Sequence, residues 1–502
     1  MASARVLLIL LVVGAPLLAA PVWGQAEVKA TLETPPAFGD AAGRNADSDD
    51  PAIWIHPTDK SKSLIITSKK EAGVAVFDLQ GVLVQDIPAP PPPRTGDRPG
   101  RINNVDIVYG VQLGSETLDI IVGSDRGLDK LKIWKINLSG TPLTEITDAS
   151  AGFIFNANQN EVNVQATCYG VAAYKKADGT VVVYCTRRSR VRLGQLELVP
   201  FPATGTFGYR KVADLDVPSV FALPDGTTWT PCEDPGEEAQ FEGMVVDPYA
   251  GYLYAGQEDV GIWRIGLDFA AAPTPVLFAK TREFGVPYTY DTEEEECVYD
   301  FTKDPGFGGQ NLEADVEGLT IYFSQANSDG GYLLASSQGD DTFAVYSRLN
   351  NNRFIGSFKV VNNPDNGVDS IQDCDGGQVI NVPLPGFPLG LLVAQDGDNK
   401  PDVLDGDGET RDNTNFKYIQ WSGIASALGL VVDTTSYDPR LGFVSAASPA
   451  PASTTPAPTT AAPTTPGPTT PAPTTGATPA QAATYGPEFV CPVNTNPCFN
   501  DV

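Results

Sequence analysis

This 502-residue chain has one histidine, two methionines and about half as many basic as acidic residues. The lone imidazole, His56, excludes any mechanism that needs two. A Ser-His-Asp hydrolase, a poly-histidine zinc site or a phosphatase with an R-H-G signature would each have to depend on it. It stands in Ile55-His56-Pro57 with no arginine before it, and reads as a surface turn residue. Lys and Arg number 33 against 62 Asp and Glu, for a net charge of -29, so nucleic acid and anionic membrane are poor partners. Beyond the N-terminus no stretch holds eighteen uncharged apolar residues, and no further membrane span is expected. A C-x5-R thiol phosphatase is unsupported, because Val191 stands where Cys185 would need its arginine.

At the start, Arg5, the apolar run Val6 to Ala20 and the small residues Val22 and Gly24 read as a secretory signal peptide over 1–24. The product is expected outside the cell. Seven cysteines fit an oxidising compartment, and their odd number leaves at least one unpaired within the chain. Cys168 and Cys185 fall on what read as neighbouring antiparallel strands, Cys232 and Cys297 flank a long stretch that a bridge can staple, and Cys491 and Cys498 can close a small loop. Residues 445–484 cycle through Pro, Thr, Ala and Ser without a charge, the composition of a disordered, O-glycosylated stalk, and 485–502 is a short cysteine-containing stub. Asn137-Leu138-Ser139 is a single N-glycosylation sequon.

Residues 25–444 repeat. Three-part units begin near Asp50, Asn104, Tyr169, Glu242, Glu317 and Asp375. Each runs from a polar start into an apolar strand, through a second β-rich run ending in polar residues, to a third strand rich in Trp, Tyr and Leu. The fourth and fifth match best: Glu242-Gly243-Met244 against Glu317-Gly318-Leu319. Short strands with period-2 alternation, glycine-rich hairpins and no sustained helical period point to an all-β, six-bladed β-propeller. The segment Glu27 to Leu32 is expected to pair with the last blade and close the ring.

In an antiparallel blade the first strand begins on the face where the second ends, so two sets of residues converge there. The unit starts supply oxygen donors, and the second-strand ends supply Lys69-Lys70, Asp125-Arg126, Arg187-Arg188, Glu258-Asp259, Gln338 to Asp341 and Gln395-Asp396. Carboxylates crowded together raise one another's pKa unless a cation neutralises them. A donor set of Asp, Glu, Asn, Tyr and carbonyls without His or Cys suits a hard cation, calcium before zinc or iron. Lys69, Lys70, Arg126 and Arg188 on three consecutive blades form a basic rim suited to a substrate with several phosphates. The acidic run Glu293 to Glu296 has no repeat partner and reads as solvated.

The motifs Asp49-Asp50-Pro51-Ala52-Ile53-Trp54, Asn103-Asn104-Val105-Asp106-Ile107, Asp315-Val316-Glu317-Gly318-Leu319-Thr320-Ile321-Tyr322 and Val393-Ala394-Gln395-Asp396-Gly397 closely resemble those of the β-propeller phytases, the calcium-dependent alkaline type. The resemblance spans roughly 30 to 440. It implies hydrolysis of phosphomonoesters of myo-inositol hexakisphosphate by water, in a monomer, with several calcium ions and with the substrate taken as a calcium complex. It makes Asp50, Asn104, the Val105 carbonyl, Asp369 and Asp396 ligands of tightly held calcium. Asp49, Tyr169, Glu242, Glu258, Asp315, Glu317 and Asp375 become ligands of the ions around the scissile phosphate, and Lys69, Arg126 and Arg188 phosphate holders. The run Arg187-Arg188-Ser189-Arg190 stands where the family has a lysine, so the third holder is Arg188 or a neighbour, and Glu33 is a further candidate ligand. Two other readings stay open on the residues alone: a calcium-containing propeller lactonase or esterase, and a secreted binding propeller without catalysis.

Overall fold

The computed structural model describes residues 25–39, 47–293 and 296–444. The expected signal peptide, stalk, stub and Cys491–Cys498 pair lie outside these. Six sheets follow one another around a common axis. Blade one comprises Pro51–Trp54, Leu64–Ser68, Val74–Phe77 and Leu83–Ile87; blade two Ile102–Leu113, Glu116–Asp125, Lys130–Ile136 and Leu143–Glu145. Blade three comprises Cys168–Lys175, Val181–Arg187, Arg192–Phe201 and Thr206–Asp216; blade four Phe241–Asp247, Tyr252–Gln257, Gly261–Gly266 and Val276–Lys280. Blade five uses Val316–Phe323, Gly331–Ser337, Thr342–Ser347 and Phe354–Val361, and blade six Gly377–Ile380, Leu391–Asp396 and Asn413–Gln420. The chain is a six-bladed β-propeller, as the repeat predicts.

Each blade is covered on both faces by its neighbours, which is why the middle strands are apolar on consecutive residues; Ile120, Ile121 and Val122 are all fully buried. The core is accordingly six clusters, one per seam. Trp54, Ile66, Ile102 and Trp134 fill the first seam, and Ile65, Phe77, Val393 and Tyr418 the seam that joins blade six to blade one.

Ring closure differs in detail from the expectation. Ala26–Lys29 adds a parallel fifth strand to the outer edge of blade five, and Leu32–Glu33 pairs with Tyr418 and Lys417 to supply the missing outer strand of blade six. The physical reason lies after Gln420, where Trp421–Leu428 forms a helix instead of a fourth strand. Its Trp421, Ile424, Ala425 and Leu428 recur at helical spacing and pack into the seam between blades five and six, with Trp421 stacked on Tyr322 at 4.0 Å. The outer strand must then come from the N-terminus.

On one face, the chain after that helix returns across the channel, where the hairpin Tyr437–Asp438 with Gly442–Phe443 packs on Tyr249 and Phe323. Disulfides Cys168–Cys185 and Cys232–Cys297 are both formed, and Cys374 is free and buried. His56 is not on the surface. It is 5% exposed, its Nδ1 accepts the Asp59 N–H at 3.0 Å, and its ring meets Trp54 edge-on. Among the described residues no helix is long and apolar enough to cross a membrane.

The seams also meet through backbone. A Cβ built on Gly170 would lie 1.9 Å from the Glu242 carbonyl oxygen, one on Gly243 2.2 Å from that of Glu317, and one on Gly376 2.7 Å from Asp50 Oδ1. Glycine is required where chains approach so closely. Gly243→Ala should therefore cost about 3 kcal/mol of stability by overpacking, read as a lowered melting temperature by circular dichroism. An unchanged melt would show that blades four and five do not interlock there.

Candidate functional site

The first strands of blades two to five each carry a β-bulge, between Ile102 and Val105, Cys168 and Val171, Phe241 and Met244, and Val316 and Leu319. The bulged residues are Asn103-Asn104, Tyr169-Gly170, Glu242-Gly243 and Glu317-Gly318, which include the positions singled out by the repeat. A bulge breaks the in-out alternation and re-aims side chains, here toward the axis. Blades one and six reach the same level without a bulge, through Asp49-Asp50 and Asp375-Gly376 just ahead of their first strands.

Glu242, Glu258 and Glu317 each bring one carboxylate oxygen to within 4.8 Å of the others, and all three are buried. Glu258 arrives from the end of blade four's second strand. The charge of Glu242 acts on Asp49, Asp375, Asp315, Glu258, Glu317 and Tyr169, so six of the predicted residues surround it. Burial, and behind it Asp259, Glu242 and other carboxylates, pushes the Asp315 carboxyl up to about 8. Burial likewise raises Asp375 to about 6 against the pull of Lys70, and holds Asp49, Glu258 and Glu317 well above the ordinary range.

Cationic compensation is sparse. The Lys70 ammonium lies 2.6 Å from Asp47, 3.1 Å from Asp375 and 3.6 Å from Asp49. Burial opposes its charge, but these carboxylates outweigh burial and keep it firmly protonated. Both Asp49 oxygens, Glu258 Oε1 and Glu317 Oε2 are buried without a hydrogen-bond partner. Such orphaned anionic oxygens are costly. An all-oxygen set of this kind fits a hard divalent cation.

The rim residues separate. Lys69 turns outward to Asp86 at 2.7 Å, while Lys70, with φ +45, reaches into the ring; the turn breaks the side-by-side arrangement expected of the pair. Arg126 donates to Asn103 Oδ1 at 2.8 Å and lies 4.9 Å over the Tyr169 ring. Arg187 is committed to the Ala166 carbonyl and Asn156, and Arg190 to the carbonyls of Ser189 and Gly236. The Arg188 guanidinium has no hydrogen bond or ion pair to the described residues, so of the three it is the one available to a substrate.

The five residues assigned to tightly held ions divide into two groups. Asp50 Oδ2 accepts the Val105 N–H at 3.1 Å, beside Asn104 at the seam of blades one and two. Asp369 and Asp396 converge instead with Glu33 on the buried Lys417 ammonium. Three carboxylates against one ammonium leave excess negative charge, and Asn415 Oδ1 beside them is buried without a partner, so this group also keeps capacity for a cation.

Sequence reasoning passed over Asn103, Asp47 and Gln240. Asn103 donates to Glu242 Oε1 while accepting from Arg126, and so ties rim to ring. Its signal was the Asn103-Asn104 doublet, of which the repeat used one half. Gln240 links Glu258 to the Ser189 turn.

The fold and site together define a propeller whose channel mouth is an under-compensated carboxylate ring with a basic margin on one side, an arrangement suited to a cation-assisted reaction of a polyanion. The phytase family model matches residues 1–184 and 281–441, and the chain belongs to the phytase family, hydrolases acting on phytate. The 3-phytase of Bacillus subtilis (strain 168) is similar at 30% identity over 413 residues, covering 81% of this chain and 87% of the relative. Among solved structures, a β-propeller domain from Myceliophteria thermophila overlaps 74% of this chain and 84% of its own at 9% identity and a TM-score of 0.33. A luciferin-regenerating enzyme overlaps 78% and 98% at 9% identity and a TM-score of 0.33. Overlaps this loose carry no functional weight.

The raised carboxyls set a sign for pH dependence. The Asp315 carboxyl, pushed up to about 8 in the fold, ionises near an ordinary aspartate's 3.8 when unfolded. The unfolded state then binds fewer protons, and stability falls as pH rises through that window. The melting temperature of chelated protein should decline from about pH 5 to about pH 8, and restoring a divalent cation should largely remove the decline. A flat profile in chelator would mean that the ring ionises freely.

Proposed function

We propose that the chain is a secreted, calcium-dependent phytase of the 3-phytase type, acting as a monomer on myo-inositol hexakisphosphate taken as its calcium complex. The observation that carries the reading is the group of buried, partnerless carboxylate oxygens on Asp49, Glu258 and Glu317 around Glu242. Glu242, Glu258, Glu317, Asp315, Asp49 and Asp375, with Tyr169, would hold the ions of the reaction centre. Asp50, Asn104 and Val105, and separately Asp369 and Asp396 with Glu33, would hold structural ones. Calcium bound in the ring would neutralise it, gather phosphate oxygens and acidify water.

The chain's own groups divide the remaining work. Arg126 and Arg188 orient phosphates that do not react, and Lys70 bridges Asp49 and Asp375 and offsets part of the burial that favours their neutral forms. Lys69 is a phosphate holder only when released from Asp86. Two side chains that could serve as a nucleophile or its base are otherwise engaged. The neighbouring thiol of Cys374 is turned to the Gly376 carbonyl and its pKa is raised by burial, and His56 is spent on its turn. On this reading water, rather than a side chain, attacks phosphorus. Two disulfides support an oxidising, extracellular destination, in keeping with a signal peptide over 1–24 and a glycosylated stalk over 445–484.

The deciding experiment measures phosphate release from phytate against calcium concentration, with lactone and aryl ester controls. Calcium-dependent release from phytate alone is expected, and full activity after chelation and dialysis would overturn the calcium reading. Glu242→Gln and Glu317→Gln keep volume and remove charge, and each should lower kcat by about two orders of magnitude with the fold retained by circular dichroism. Near-normal turnover in both would remove them from the reaction centre.

A further inference from the structure

The Gln240 side chain uses both ends of its amide. Its Oε1 accepts the Ser189 N–H at 2.8 Å, and its Nε2 donates to Glu258 Oε2 at 2.8 Å. One partner is an N–H and the other a carboxylate, so only one orientation of the amide serves both. No other side chain of similar size offers an acceptor and a donor at this reach. The backbone repeats the tie, with the Glu258 N–H donating to the Gln240 carbonyl at 3.1 Å.

The turn at the other end carries Arg188. Ser189 is buried with φ +57, a left-handed conformation that a serine holds only when its surroundings impose it. They do so from one segment: Ser189 Oγ donates to Glu237, the Ser189 carbonyl accepts the Glu238 N–H, and Arg190 donates to the Gly236 carbonyl. That segment leads directly into Gln240 and is anchored upstream by the Cys232–Cys297 disulfide.

We propose that Gln240 is a positioning residue that sets the Arg188 turn and Glu258 at a fixed separation, so that phosphate holding on blade three and cleavage on blade four act as one unit. The inference rests on the phytate and calcium reading above. Removing the amide takes away the turn's side-chain link to Glu258 and leaves Glu258 Oε2 without its donor, while the bonds to Glu237, Glu238 and Gly236 remain. Gln240→Glu keeps the shape but sets a second carboxylate against Glu258 and removes the donor.

The test is a double-mutant cycle of Gln240→Ala with Arg188→Ala, measuring kcat and KM for phytate, alongside calorimetric titration of calcium into chelated protein. Gln240→Ala should raise the phytate KM about fivefold and lower kcat about tenfold in the native background, whereas its effect on KM should fall below about twofold once Arg188 is gone. The calorimetry should show weaker calcium binding in at least one step, independent of turnover. Gln240→Glu should reproduce the loss, which covers the case in which the alanine variant does not fold. Equal KM factors in both backgrounds would overturn the proposal, as would unchanged calcium titration. A native protein that neither binds calcium nor releases phosphate from phytate would overturn the reading beneath it, and the proposal with it.

Discussion

The close backbone approach of successive blades at one end of the channel is the constraint on which the site depends. Gly170 lies against Glu242, Gly243 against Glu317, Gly318 against Asp375 and Gly376 against Asp49 and Asp50. Each contact joins a residue without a side chain to the donor-bearing residue of the next blade. The interlock therefore fixes the diameter of the ring and brings carboxylates from blades one, four, five and six, with Asn104 and Tyr169 from blades two and three, to the same level. The bulges turn Glu242 and Glu317 inward. Geometry that closes the ring also concentrates its charge.

Concentrated charge has to be met, and the chain meets only part of it. Lys70 serves Asp47, Asp49 and Asp375, and Lys417 serves Glu33, Asp369 and Asp396. In both groups the ammonium is outnumbered. A second ammonium in either place would satisfy more oxygens and leave no room for a divalent ion or a phosphate. The shortfall suits the mouth to cations, which would in turn admit a polyanion that the protein's net charge of -29 would otherwise repel.

Much of this was legible in the sequence, and the limits are physical. Glu242-Gly243 and Glu317-Gly318 could be equated because donor and glycine recur together, and the glycine records a backbone contact that the sequence does not show directly. The blade count followed from the same repeat. The closing strand was misplaced by one element because whether Trp421–Leu428 continues the sheet or coils into a helix depends on the seam it packs into. Lys69 and Lys70 could not be told apart, since adjacent side chains at a strand end diverge according to turn conformation. His56 was placed on the surface for want of any sign that Trp54 and the Asp59 N–H would bury it. Gln240 carries no charge and no motif, and its role exists only in the distances to Ser189 and Glu258.

The two faces of the channel show that the shortage of cations is local. On the face opposite the ring, Asp247 is fully buried and pairs with Arg348 through two bonds, at 2.6 and 3.0 Å, and Asp119 pairs with Arg440 at 2.6 Å. The hairpin containing Arg440 also covers that end. Truncating one partner of such a pair is costly because the other stays buried and charged. The same fold thus carries buried aspartates matched by arginine at one end and, at the other, buried carboxylates of which several oxygens have no hydrogen-bond partner. Since the first arrangement was available to the scaffold, the second reflects the demands of the site: carboxylates already matched by arginine would have no oxygen left for a metal. The stability that the ring forgoes is offset by six apolar seams and the paired far face, and a cation that bound only the folded ring would restore it.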